Sequence, residues 1–122
     1  MSKRSRTKGH NWERRLAQIF REHGWKARRG IQYRDGSEAP DVIVDDLPFH
    51  FEAKIGVQPS HRKSYKQAKK AAEGTGLIPA AVVRDSGTPK DEALVTLSLE
   101  DFIDREQEIR ERLKKEERRE DG

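Results

Sequence analysis

The run Phe49-His50-Phe51-Glu52-Ala53-Lys54-Ile55 restricts the fold more than any other part of the chain. It alternates apolar and polar without a break. Successive strand side chains point to opposite faces, so Phe49, Phe51, Ala53 and Ile55 share a core face while His50, Glu52 and Lys54 share the other. Ahead of it, residues 41–44 read as a strand, and residues 45–48 (Asp-Asp-Leu-Pro) supply turn formers. A four-residue loop there sets Val44 against Phe49, Val42 against Phe51 and Asp41 against Glu52. The two carboxylates then lie on one face, roughly 5 Å apart at Cβ. Like charges so opposed destabilise a sheet, which implies either a different register or a cation between them. Lys54 projects from the same face, about 6.5 Å beyond Glu52.

Two acids beside one lysine suit a hard divalent cation. Mg²⁺ fits, with Mn²⁺ as a substitute, because it takes few protein carboxylates and keeps several waters. Such an ion lowers the pKa of water, orients it and offsets charge on a phosphorane-like transition state. Lys54 is placed to position the attacking water or to offset the same charge. Glu13 borders the helical face formed by Leu16, Ala17 and Phe20, where a carboxylate needs a partner. That partner is either the metal site or a nearby arginine. Gln67, on the helix after the hairpin, either reaches the substrate or completes a capping box with Ser64. His50 and His61 lack a second histidine at ligand spacing and read as surface or DNA-contacting side chains.

The rest of the chain supplies a frame for this hairpin. Trp12, Leu16, Ile19 and Phe20 define one face of a helix with Asn11 as its N-cap and Gly24 as its C′ glycine. Residues 25–29 form a short strand and 30–40 a loop. A second helix runs over about 64–73, strands over 79–84 and 93–98, and a last helix from about Leu99. The order α-β-β-β-α-β-β-α predicts an α/β fold, a mixed five-stranded sheet flanked by helices. The expected organisation is a flexible basic arm over 1–9, one domain over 10–113 and a charged, frayed tail over 114–122.

Charge is unevenly spread. Residues 1–30 hold ten Lys/Arg against two acids and residues 61–90 seven against two, while residues 31–60 hold two against six. Basic segments thus flank an acidic middle, a pattern suited to a phosphate backbone held around a cation site. Lys8, Arg14, Arg28, Arg62, Lys63 and Lys66 are the candidate DNA contacts. The absence of cysteine rules out disulfides and thiolate metal sites. No apolar run is long enough to span a membrane, so the expectation is a soluble cytoplasmic protein without a membrane partner.

Pro40-Asp41, followed after ten residues by Glu52-Ala53-Lys54, resembles the signature of the PD-(D/E)xK nuclease superfamily. Gly9, Trp12-Glu13-Arg14, Gly24 and Arg29 are similar to the opening of archaeal-type and phage Holliday junction resolvases. Residues 36–41 resemble the loop before their catalytic aspartate, and Gln67 is placed like a glutamine of theirs. The resemblance spans about residues 9–103. It implies a restriction-endonuclease-like sheet and a Mg²⁺-dependent homodimer that cuts four-way DNA junctions in a bacterial or archaeal cell, including as a phage product. Asp41 and Glu52, with the Ala53 carbonyl, would hold the metal. Glu13 would complete the site, Lys54 would assist the water, and Arg29 and Ser37 would act near the scissile phosphate. Two further readings are another PD-(D/E)xK enzyme (nicking, repair or restriction-like) and a non-catalytic DNA-binding protein.

Overall fold

The structure, a computed structural model, describes residues 3–31, 39–89 and 91–121. The elements run α1 (Lys3–Glu22), β1 (Ala27–Arg29), β2 (Val42–Val44), β3 (Phe49–Gly56), α2 (His61–Ala72), β4 (Ile78–Asp85), β5 (Leu94–Thr96) and α3 (Leu99–Asp121). This is the expected order, and it forms an α/β fold with a five-stranded mixed sheet in the order β1-β2-β3-β4-β5. Only β3 and β4 are parallel, joined by the α2 crossover; the other pairs are antiparallel.

The period of two in β3 builds the core. Phe51 pairs with Val42 across the hairpin, in the register anticipated from a four-residue loop. Phe51, Val42, Ala80 and Val82 are buried beneath Trp12, Leu16 and Ala17 of α1, with Phe49, Ala53 and Ile55 packed alongside. Phe51 also stacks obliquely on Phe20 and Phe49, at 5.3 and 5.4 Å between ring centres. Burying Leu16 alone contributes roughly 1.5–3 kcal/mol. The Trp12 indole is buried with a partner, since its Nε1 donates to the Val82 carbonyl at 3.5 Å. On the opposite face Ala81 and Val83 of β4 meet Ala68 of α2.

Helix α1 ends as its glycine predicts. Gly24 takes φ +89°, Gly24 N–H donates to Arg21 O and Trp25 N–H to Phe20 O, a Schellman closure. Its start differs from expectation. The helix begins at Lys3, so Lys3–Gly9, read as part of a flexible arm, are its first turns. Helix α2 starts at His61, because Ser60 is the N-cap and its hydroxyl accepts from Lys63 N–H. Ser64 is therefore inside the helix, buried, with its hydroxyl on the Ser60 carbonyl. This corrects the reading of Ser64 as the cap of a box with Gln67.

Helix α3 continues to Asp121, past the point where fraying was expected, and buries no residue. Leu99, Phe102, Ile103 and Leu113 are exposed on it, as are Leu94 and Val95 on the edge strand β5. Among the described residues, no helix is long and apolar enough to cross a membrane.

Candidate active site

Glu13, Asp41 and Glu52 line one cleft of about 390 Å³, together with His10, Arg29 and Pro40. It lies where β1 finishes and β2 begins. Three parts of the chain meet there for identifiable reasons. Gly30 N–H donates to the Asp41 carbonyl at 2.9 Å, and a Cβ on Gly30 would run into the Pro40 carbonyl. A residue without a side chain is thus needed for Asp41 to return to β1. From α1, Glu13 is drawn in by Arg29 of β1, whose Nε and Nη2 both donate to Glu13 Oε2 at 3.0 and 2.9 Å. Of the two partners open to Glu13, the structure shows the arginine.

Asp41 precedes Val42, the cross-strand partner of Phe51, and lines the same cleft as Glu52. Its amide donates to the Phe51 carbonyl at 2.9 Å. Its carboxylate takes the place of a main-chain acceptor, with Oδ2 receiving the Ala53 N–H at 2.9 Å. Ala53 therefore touches Asp41 through its amide. The Glu52 side chain is 21% exposed, and its Oε1 lies 3.8 Å from Nδ1 of His50, which is fully buried. His50 is thus a core residue beside the carboxylate, which corrects its reading as a surface or DNA-contacting histidine. The alternation of β3 could not show this, because it does not say that α2 covers the polar face. Parallel strand pairs are ordinarily covered on both sides.

The other candidates are dispersed. Lys54 is exposed, two residues along β3, and does not line the cleft. Gln67 is exposed on α2 beside Lys63 and Lys66, and it too stays outside the cleft. Arg62 is exposed on the same helix. Arg28 pairs with Asp45 at 2.9 Å, Arg14 donates to the Asn11 side chain at 3.1 Å and Lys8 to the Ser86 hydroxyl at 2.6 Å. His61 lies 3.5 Å from the Thr96 hydroxyl. Ser37 is outside the described residues. His10 lines the cleft although nothing in its sequence context marks it.

Among the described residues, no group of three or more carboxylate or imidazole side chains forms a ready metal cage. Mg²⁺ does not require one, since it is commonly held by one or two carboxylates and completes its shell with water. The donor chemistry of Asp41 and Glu52 fits such an ion. Glu13 would join only through a water or by leaving Arg29.

One further carboxylate is perturbed, away from the cleft. The main-chain amides of Gln58 and Gly87, with the Thr88 hydroxyl, hold the Asp85 carboxyl below its ordinary value. These bonds tie the loop after β3 to the loop after β4.

No protein-family model matches the chain, and a search among curated proteins finds no match.

Proposed function

We propose that the protein is a metal-dependent DNA endonuclease of the PD-(D/E)xK type, with a restriction-endonuclease-like sheet, and that its substrate is the four-way junction. The observation that carries this reading is the meeting of Asp41 and Glu52 from adjacent strands with Glu13 from α1 in one polar cleft. Carboxylates gathered in one cleft repel one another, and a cation among them gives a physical reason to retain them. The resemblance of Pro40-Asp41 and Glu52-Ala53-Lys54 to the superfamily signature supplies the chemistry class.

In this reading Asp41 and Glu52, with the Ala53 carbonyl, hold Mg²⁺ or Mn²⁺. The ion supplies an activated water and offsets charge on the phosphate. The chain's own groups do the rest. The Ala53 amide fixes the rotamer of Asp41 through Oδ2, so the carboxylate is set before substrate arrives. Arg29 stands beside the cleft and, with Glu13 balancing part of its charge, orients a non-bridging phosphate oxygen. Lys54, two residues along β3 and outside the cleft, would turn its long side chain toward it to steady the attacking water. Gln67 and the exposed Arg62, Lys63 and Lys66 of α2 contact DNA flanking the cut. Two symmetric nicks require two active sites. The exposed apolar side chains of β5 and α3 support a homodimer.

The test is the rate of cleavage of a labelled four-way junction against a linear duplex of the same arm sequence, in Mg²⁺ and in Mn²⁺. Preferential nicking of the junction is expected. Equal rates would move the function to another nuclease of the same chemistry. Tight binding without cleavage in either metal would leave a DNA-binding protein.

A further inference from the structure

A second cleft, of about 980 Å³, lies on the other flank of α1. Its walls carry Lys3, Arg4, Lys8 and Arg15 from α1 and Arg84 from the end of β4, and no carboxylate lines it among the described residues. Arg15 is offset by Glu22 at 3.1 Å. The other four cations make no ion pair within the described structure. Lys8 is held by a neutral partner, the Ser86 hydroxyl, and the Arg84 guanidinium sits 5.9 Å from the Trp12 ring. Converging like charges repel one another, and an anionic occupant relieves that repulsion. Arg4 and Lys8, four residues apart on one helix, would disfavour each other in an isolated helix.

The position of this cleft beside the proposed active site points to the kind of anion. His10 and Glu13 of α1 line the carboxylate cleft, whereas Asn11, Trp12 and Arg15 line the cationic one. The two clefts therefore flank a single helix, about 10–12 Å across with its side chains. A strand whose phosphate lies at Asp41 and Glu52 can pass over α1 and lay its next phosphates among the cations. The cationic cleft is open and built from long flexible side chains belonging to separate elements. Such a surface tracks a repeating anion and does not enclose a single small one.

We infer that this cleft is a phosphodiester-backbone track for DNA flanking the candidate active site, with Lys3, Arg4, Lys8 and Arg84 as its phosphate contacts. The inference rests on the proposed nuclease reading for the choice of DNA, while its test is independent of cleavage. Lys3→Gln/Arg4→Gln alters only exposed positions in the first turn of α1. Arg84→Gln removes the contact from the sheet side. Binding of a labelled duplex is followed by fluorescence anisotropy in EDTA over a range of salt concentrations. Each phosphate contact contributes about 0.9 to the slope of log K against log salt. The double variant should therefore flatten the slope by about 1–2 and Arg84→Gln by about 1, each with weaker binding at every salt concentration. Unchanged slopes and affinities in both variants overturn the track and leave the nuclease reading standing. Flattened slopes in a protein that cuts no DNA uphold the track and remove the nuclease reading. A wild-type protein that does not bind duplex overturns the track outright.

Discussion

Asp41 accepts the main-chain amide of Ala53 on its carboxylate Oδ2, at 2.9 Å, in place of a β-ladder acceptor. A strand carbonyl could satisfy that amide without placing a second charge in the cleft that Glu52 lines. The arrangement gives up sheet stability for a fixed carboxylate. In EDTA, Asp41→Asn should therefore melt at or above the wild-type temperature, since the amide oxygen still accepts from Ala53 and the repulsion is gone. Adding Mg²⁺ should stabilise the wild type and not the variant, by about 2.7 kcal/mol at a hundredfold excess over Kd. Thermal melts with and without Mg²⁺ check both.

The Arg29–Glu13 pair is partly buried, with side chains 31% and 17% exposed. Breaking one partner leaves the other charge without compensation. Arg29→Met should destabilise by about 1–3 kcal/mol, and Glu13→Gln in the same background should recover part of the loss. Urea denaturation of the four members of this cycle measures the coupling. Strict additivity would contradict the pairing.

Asp85 provides a pH signature distinct from the cleft. Its folded pKa lies below the ordinary 3.8 because the amides of Gln58 and Gly87 and the Thr88 hydroxyl bind the charged form. A lowered folded pKa favours the native state while the group is ionised. That contribution is present above about pH 4 and disappears as pH falls through the folded value. The difference in melting temperature between wild type and Asp85→Asn should be larger at pH 7 than near pH 3. A difference that is flat or grows with acid would contradict the assignment.

Helix α3 buries nothing of its own, yet it presents Leu99, Phe102, Ile103 and Leu113. If a second copy covers this face, Phe102→Glu/Leu113→Glu should halve the sedimenting mass. The melting temperature extrapolated to low protein concentration should stay within a few degrees of wild type, because no core contact is lost. A wild-type protein that sediments as a monomer with DNA present contradicts the homodimer.

The parts of the fold that were legible are those in which side-chain period and burial coincide. The alternation of residues 49–55 and the turn at 45–48 point to the Val42–Phe51 register, whereas Asp41, expected directly opposite Glu52, bonds to the Phe51 carbonyl and meets Glu52 in the shared cleft. Gly24 marked the end of α1 because the Schellman closure needs its positive φ. The start of α1 was hidden because Lys3–Gly9 carry no apolar period. Lys and Arg are adequate helix formers without a core to face. For α2, Ser60 and Ser64 are equally good caps by composition, and the fold chose Ser60. The alternation of β3 puts His50 on the polar face, but α2 covers that side of the sheet and buries it. The length of α3 was unreadable for a different reason. Glu100 and Asp101 in its first turn and Arg118 and Arg119 in its last complement the helix dipole, so it persists without packing. In the site, Arg29 beside Glu13 was one of two open partners, and no local pattern pointed to His10.

Asp41 and Glu52 together are proposed to hold a metal ion that would activate water for phosphodiester hydrolysis. The most direct measurement is cleavage of a labelled four-way junction in Mg²⁺ by wild type, Asp41→Asn and Glu52→Gln, with EDTA as the control. Cleavage by the wild type that EDTA abolishes is expected, with a fall of at least about 10²–10³-fold in each variant while DNA binding is retained. Cleavage by either variant at the wild-type rate, or by the wild type in EDTA, would contradict it.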